Sequence, residues 1–244
     1  MKKLIIANWK MQLTTKQAVK LAKQIGAIKT AADLVLCPSF TALQPVADLG
    51  RQNYSLGAQD VFWEGSGAYT GEVSPLDLKE LGCRYVIIGH SERRQFLGET
   101  DEMVRRKVKA ALAAGLTPVI CVGESEEERQ RGEEKKVVER QLRAALSPSS
   151  LNKRQLVVAY EPVWAIGSGR TPQPAEIQVM HRLIAALLKE LGAVKPRVIY
   201  GGSVSADNIL DFLSLPEVAG ALIGGASSDF KKFKALLKTL NPKP

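Results

Sequence analysis

Cysteine is scarce. The three that occur, Cys37, Cys83 and Cys121, are odd in number, show no Cys-x-x-Cys spacing and lie in or beside apolar runs. That pattern excludes a disulfide framework and a thiolate metal site, and predicts reduced core thiols. There are only two histidines, His90 and His181. No apolar run reaches the roughly 18 residues of a membrane span, so no membrane partner is expected. The basic-then-apolar start, Met1 to Lys10, is interrupted by Trp9-Lys10 and is too short for a secretion signal. It reads as a first strand, with a cytoplasmic protein as the expectation. No Gly-x-Gly-x-x-Gly follows that strand, which removes the main signature of a dinucleotide-binding open sheet.

Charge is present in excess: 34 basic against 25 acidic residues among 244, a net +9. Such an excess favours anionic partners without choosing among them. The lysines fall on helical faces, as in Lys16-Lys20-Lys23 and Lys231-Lys232-Lys234-Lys238, with no interleaved aromatic strip for stacking bases. They read as solvated surface, and nucleic acid is not expected as the main partner.

What fills the chain is alternation. Leu4–Asn8, Leu34–Cys37, Ser55–Gln59, Tyr85–Gly89, Pro118–Val122, Leu156–Tyr160, Val198–Gly201 and Gly220–Ile223 are short β-rich runs without polar alternation. Strands buried on both faces of a parallel sheet look like this. Amphipathic stretches such as Lys16–Ile28 and Glu102–Ala114 lie between them, and the charged stretch Glu124–Lys136 predicts the start of a long surface helix. Eight β-then-α units of about 30 residues predict one domain over residues 1–244, a closed α/β (β/α)8 barrel.

In such a barrel the chemistry sits where strands end. Strand one ends Asn8-Trp9-Lys10, strand four ends Gly89-His90-Ser91, and strand six ends at Glu161. Glu161 precedes a stiff Pro162-Val163-Trp164 entry, apolar Ala165-Ile166 and then Gly167-Ser168-Gly169. A carboxylate beside a mobile apolar lid suggests a general base that works once water is shut out. His90 precedes a helix start at Ser91, whose dipole disfavours imidazolium, and a neutral ring can stabilise developing oxyanion charge. Lys10 supplies a cation to phosphate or oxyanion, with Asn8 orienting it. Gly201-Gly202 and Gly224-Gly225 suit phosphate, because bare backbone amides can approach it closely. Glu92 and Glu99 are expected to pair with Arg93, Arg94 or Lys10. An aldolase would need a Schiff-base lysine inside a strand, and the eight strands contain none.

The segments Asn8-Trp9-Lys10-Met11, Gly65–Glu72, Gly89–Arg94, Cys121–Glu124, Ala159–Gly169, Tyr200–Val204 and Gly224–Ser227 together resemble the triosephosphate isomerase family, in order and across nearly the whole chain. The resemblance implies a cofactor-free and metal-free interconversion of dihydroxyacetone phosphate and D-glyceraldehyde 3-phosphate, in glycolysis and gluconeogenesis. It implies Glu161 as base, His90 as electrophile, and Lys10 and Asn8 as charge stabilisers. It implies a phosphate held by Gly167, Ser203, Gly224 and Gly225, and a lid over Pro162–Gly169 latched by Tyr200 and Ser203. It also implies a homodimer, with the Gly65–Glu72 loop entering the neighbour and Thr70 reaching its Asn8 and Lys10. The chain departs from the family at Ser228-Asp229-Phe230, where Leu and a longer turn are usual, and at Ser168, where Thr is common.

Overall fold

A computed structural model of the chain describes residues 2–50, 52–146, 156–167 and 169–241. Eight strands, β1 (Leu4–Asn8), β2 (Asp33–Cys37), β3 (Tyr54–Ala58), β4 (Cys83–Ile88), β5 (Thr117–Val122), β6 (Val157–Tyr160), β7 (Arg197–Tyr200) and β8 (Gly220–Ile223), pair in parallel and in chain order. β8 closes on β1 through Leu4 opposite Gly220 and Ala7 opposite Ile223. All eight expected strands are present, each displaced by no more than about two residues at its ends.

Two apolar layers explain why these strands read as continuous rather than alternating. Leu4, Ile6, Val35, Cys37, Ile87, Val119, Cys121, Val157, Ala159, Ile199 and Leu222 fill the barrel interior. Their neighbours Ile5, Ala7, Leu36, Ile88, Ile120 and Val158 point outward against the helices. Both faces of the pleat are buried along the middle of each strand, so the residues there are apolar whichever way they point, and polar residues such as Asp33, Arg84 and Thr117 fall at or near the strand starts. All three cysteines are free and buried, two of them inside the barrel. Burial pushes the Cys83 thiol up to about 12 and raises Cys37 and Cys121 as well.

The outer ring consists of α1 (Thr15–Gly26), α2 (Phe40–Ala47), α3 (Pro75–Glu80), α4 (Ser91–Leu97), α5 (Asp101–Ala113), α6 (Glu126–Gln130), α7 (Glu134–Ala145), α8 (Pro174–Glu190), α9 (Ile209–Leu213) and α10 (Phe230–Thr239). α1 shows the local logic. Thr14 and Gln17 form a capping box at its start, and Ala18, Leu21, Ala22 and Ile25 form the buried stripe. The single long helix expected from Glu124 is instead two. Ser125 and Glu128 box the start of α6, and Gly132, at φ 69°, ends it before α7 begins. The Glu133 amide closes that end on the Glu128 carbonyl at 2.9 Å.

His181, mid-way along α8, is fully buried; among the described residues its Nε2 lacks a hydrogen-bond partner, and Nδ1 lies 3.4 Å from the Glu217 carbonyl. Burial lowers its pKa from 6.5 to about 4. The unfolded chain therefore binds the proton more tightly, and stability present above pH 6.5 is lost as pH falls toward 4, by about 3 kcal/mol. Thermal unfolding at pH 7.5 and pH 4.5 checks this. His181→Leu is expected to lose less stability across that interval than the unmodified chain, and equal losses would contradict the assignment.

Candidate active site

The C-terminal end of β1 carries a strained turn. Lys10 adopts φ 49°, one of two non-glycine residues with positive φ among those described. Its amide donates to Asn8 Oδ1 at 3.1 Å, and its carbonyl accepts from Gln59 Nε2 at 2.8 Å. Gln59 also donates to the Cys37 carbonyl at 2.9 Å, tying β1, β2 and the end of β3 together. The ammonium reaches Glu92 Oε1 at 2.5 Å. Backbone strain held by this many contacts is characteristic of positions where a side chain must be aimed. Gln59 escaped the sequence reading, although it follows a strand end like the residues that were found.

His90 caps α4: its Nδ1 accepts from the Glu92 amide at 3.2 Å. An imidazole nitrogen that accepts carries no proton, so this arrangement selects the neutral ring with hydrogen on Nε2. Nε2 lies 3.1 Å from Glu161 Oε1. That oxygen is buried without a satisfied hydrogen bond, so the approach is close but poorly aligned. The other oxygen, Oε2, accepts from the Ser91 amide at 2.9 Å. Glu161 is 2% exposed and His90 6%, so the pair is withdrawn from water. Space around the carboxylate is tight: a Cβ on Gly201 would stand 2.8 Å from Glu161 Cγ.

Asn8, Lys10, His90, Glu161, Gly167, Ser203, Gly224 and Gly225 all line one cleft of about 520 Å³ at the C-terminal end of the barrel. Strands one, four, six, seven and eight therefore deliver the predicted residues to a common space. A 3-10 turn, Gly225–Ser228, follows β8 directly, and its first amides have no carbonyl within the turn to bond. A Cβ on Gly224 would meet Lys10 Cε at 3.0 Å, so the missing side chain lets this backbone lie against the lysine. Ser228, at the departure from the family pattern, donates to Gln12 Oε1 at 2.8 Å and so fastens the eighth loop to the first. Among the described residues, no three His, Cys, Asp or Glu side chains converge as a metal-ligand set.

The segment after Glu161 forms a 3-10 turn, Val163–Ala165, and Val163, Ile166 and Gly167 face the cleft. Gly167 and Gly169 have φ of 69° and 76°; Ser168 lies outside the described residues. Trp164 Nε1 donates to Glu124 Oε1 at 2.8 Å, and the Tyr160 hydroxyl donates to the same carboxylate at 3.0 Å. Burial pushes the Glu124 carboxyl up, opposed by these donors and by Arg129. Arg129 and Arg170 lie over the Trp164 ring at 4.3 and 5.2 Å. Ser203 Oγ donates to the Ala165 carbonyl at 3.1 Å. Tyr200 is fully buried against Phe212, and its hydroxyl has no hydrogen-bond partner among the described residues. Glu124, Arg129 and Arg170 were not singled out from sequence as lid contacts; for Glu124 and Arg129 nothing local announces a partner 35 to 40 residues away.

Thr70 stands apart. It is exposed on the loop Gly65–Glu72 and does not line the cleft. Ser74 Oγ closes the base of that loop on the Gly65 carbonyl at 2.6 Å, and Phe62 packs on both Trp63 and Tyr69. Exposed apolar side chains lie on the loops after β1 and β3 and on α3 and α4: Met11, Tyr69, Leu76, Phe96 and Leu97 are 45–96% exposed. As expected, Glu92 pairs with Lys10, and Glu99 pairs with Arg93 at 2.9 Å.

Comparison with known proteins agrees with this geometry. A family profile described as "Triosephosphate isomerase" matches residues 3–240. The chain is similar to a triosephosphate isomerase of Thermoanaerobacter pseudethanolicus, 48% identical over 240 residues, covering 94% of this chain and 97% of the relative. It is likewise similar to that of Moorella thermoacetica, 47% identical, covering 96% and 97%. With the triosephosphate isomerase of Endomicrobium trichonymphae it shares 44% identity, covering 97% and 98%.

Proposed function

This chain belongs to the triosephosphate isomerase family, and on that footing we propose how its rim interconverts dihydroxyacetone phosphate and D-glyceraldehyde 3-phosphate. The Glu161 carboxylate removes a proton from the carbon beside the substrate carbonyl, and the electron pair moves onto oxygen to form an enediolate. His90 Nε2–H donates to that oxygen, and the Lys10 ammonium balances its charge, with Asn8 holding the Lys10 turn. Glu161 returns the proton to the neighbouring carbon while hydroxyl and carbonyl exchange places through His90. No group is oxidised by an outside agent, so the cycle needs no redox cofactor.

One observation carries this reading. A buried carboxylate and a neutral-tautomer imidazole lie 3.1 Å apart at the wall of the cleft that Lys10 also lines. In the present state Glu161 rests on the Ser91 amide, so it must swing away to reach substrate. The lid Pro162–Gly169, through Gly167, and the bare amides around Ser203, Gly224 and Gly225 take the phosphate. Closure keeps water away from Glu161 as it moves toward the substrate. Ser203 already bonds the lid at Ala165, and the Tyr200 hydroxyl, without a hydrogen-bond partner among the described residues, can complete the latch.

The chain acts as a homodimer in this reading. The exposed apolar side chains Met11, Tyr69, Leu76, Phe96 and Leu97 favour a covered face, and Thr70, remote from its own cleft, meets the partner's Asn8 and Lys10. Shortening that loop is expected to give monomers with strongly reduced turnover by analytical ultracentrifugation and assay. A fully active shortened monomer would contradict the arrangement. A coupled assay with D-glyceraldehyde 3-phosphate tests the activity. Lys10→Ala is expected to lower kcat/KM by at least about a hundredfold, and near-normal kinetics would make the cation peripheral.

A further inference from the structure

The net charge of +9 is not spread over the molecule. Residues 1–32 contain seven lysines and residues 230–244 contain five, and neither stretch contains an acidic residue or an arginine. The remaining residues hold 22 basic and 25 acidic side chains, a net of −3. The whole positive excess therefore belongs to the two ends of the chain. The closed barrel makes these ends neighbours: β8 pairs with β1, and α1 packs beside α10.

The result is one cationic face. Lys16, Lys20 and Lys23 on α1, Lys29 beyond it, and Lys231, Lys232, Lys234 and Lys238 on α10 are all exposed. Among the described residues none of these eight forms a direct ion pair, with Asp229 at the start of α10 the one acidic group whose charge acts on Lys231 and Lys232, although arginines elsewhere pair repeatedly, as Arg93, Arg94, Arg129, Arg143 and Arg182 do. Surface charges of one sign repel and destabilise the fold slightly unless something neutralises them. The lysine heads cover two adjacent helices of 12 and 10 residues, a strip of about 15–18 Å along each at the helical rise. A polymer of anions can meet several at once. A single triose phosphate cannot.

We propose that the α1–α10 face binds the phosphodiester backbone of single-stranded nucleic acid, by charge and without regard to base sequence. Lysine is a point charge on a flexible stem, suited to phosphate without the fixed fork that arginine brings to a base edge. No exposed large apolar side chain lies on α1 or α10 to anchor the face in a bilayer. The Phe230 ring has Lys234 Nζ 5.6 Å from its centre, so base stacking contributes little. The face excludes Lys10, whose ammonium pairs with Glu92 at the cleft, so nucleic acid binding and isomerisation are separable.

Fluorescence anisotropy with a labelled 20-nucleotide oligouridylate, titrated with the full chain at 50 and 200 mM salt, tests this. With about five phosphates neutralised, single-strand counterion release predicts a log–log salt slope near −3.5, or about a hundredfold weaker binding at the higher salt. The variant K16Q/K20Q/K23Q/K232Q/K234Q/K238Q is expected to bind at least about tenfold more weakly with a shallower slope, and K16Q/K20Q/K23Q alone to fall between. Glutamine is a good helix former, and unchanged isomerase turnover reports an intact fold. K135Q/K136Q/K189Q, on exposed positions of α7 and α8, is expected to bind like the unmodified chain. The proposal is overturned if the six-site variant binds as tightly as the unmodified chain, or if the control weakens binding equally. It is equally overturned if the oligonucleotide fails to bind at 50 mM salt, or if vesicles of anionic lipid capture the protein while the oligonucleotide does not.

Discussion

Glu161→Asp is expected to lower kcat by about 10²- to 10³-fold while KM changes by no more than a few-fold. Removing one methylene withdraws the carboxylate by roughly 1 Å, and misplacement on that scale costs about a hundredfold when a proton must pass between held groups. The charge remains, so the electrostatics of binding are preserved. The phosphate contacts, on other loops, are untouched, so substrate affinity is preserved too. Steady-state kinetics in both directions check this. A kcat within a few-fold of the unmodified enzyme would remove Glu161 as the base, and a loss confined to KM would make it a binding residue.

The second large effect concerns stability. Lys107, on α5 and 1% exposed, bonds Asp60 at 2.8 and 2.9 Å and pairs with Glu99 at 2.6 Å. Arg93 closes the network at 2.9 Å from each carboxylate. Asp60 follows β3, Arg93 lies on α4 and Glu99 just beyond it, so the cluster joins the root of the third loop to the helix that His90 caps. Lys107→Met retains the volume but leaves two carboxylates buried with one partner. Removing one member of such a cluster costs about 3–5 kcal/mol.

The pH dependence gives that prediction a sign. Burial raises the Asp60 carboxyl above its ordinary value, and Lys107 opposes the rise. Without Lys107 the carboxyl moves higher still, and the folded state then binds the proton more tightly than the unfolded one. A raised carboxyl contributes stability that is full below its ordinary value and lost as pH rises through the folded value. The deficit of Lys107→Met against the unmodified chain is therefore expected to be larger at pH 8 than at pH 5, by urea unfolding at both. A deficit independent of pH would mean that lost packing, rather than uncompensated charge, dominates.

Much of this architecture was legible because a parallel barrel buries both faces of every strand. Val157–Tyr160 and Gly220–Ile223 have no polar residue to disguise them. The site was legible for a related reason: when a strand stops, the polar residue that follows stands on the rim. Asn8, His90 and Glu161 each broke an apolar run and each lines the cleft. Other features needed the fold. The positive φ of Lys10 is held in part by Gln59, 49 residues away. The hold of Glu124 on Trp164 spans 40 residues. The break at Gly132 was outweighed by the helical charge pattern on either side of it, although a glycine flanked by an earlier capping box is a stop signal. The lysine-rich ends read as ordinary solvated helices until barrel closure made them neighbours.

The account stands or falls on convergence at one phosphate-bearing cup. A crystal structure with a bound phosphate-bearing carboxylate, a mimic of the enediolate, examines it most directly. The phosphate is expected at the amides of Gly167, Ser203, Gly224 and Gly225. The mimic's carboxylate is expected within hydrogen-bond reach of His90 Nε2 and Lys10 Nζ, with Glu161 moved off the Ser91 amide toward the ligand. A ligand bound elsewhere, or Glu161 still held by Ser91 beneath a closed lid, would contradict it.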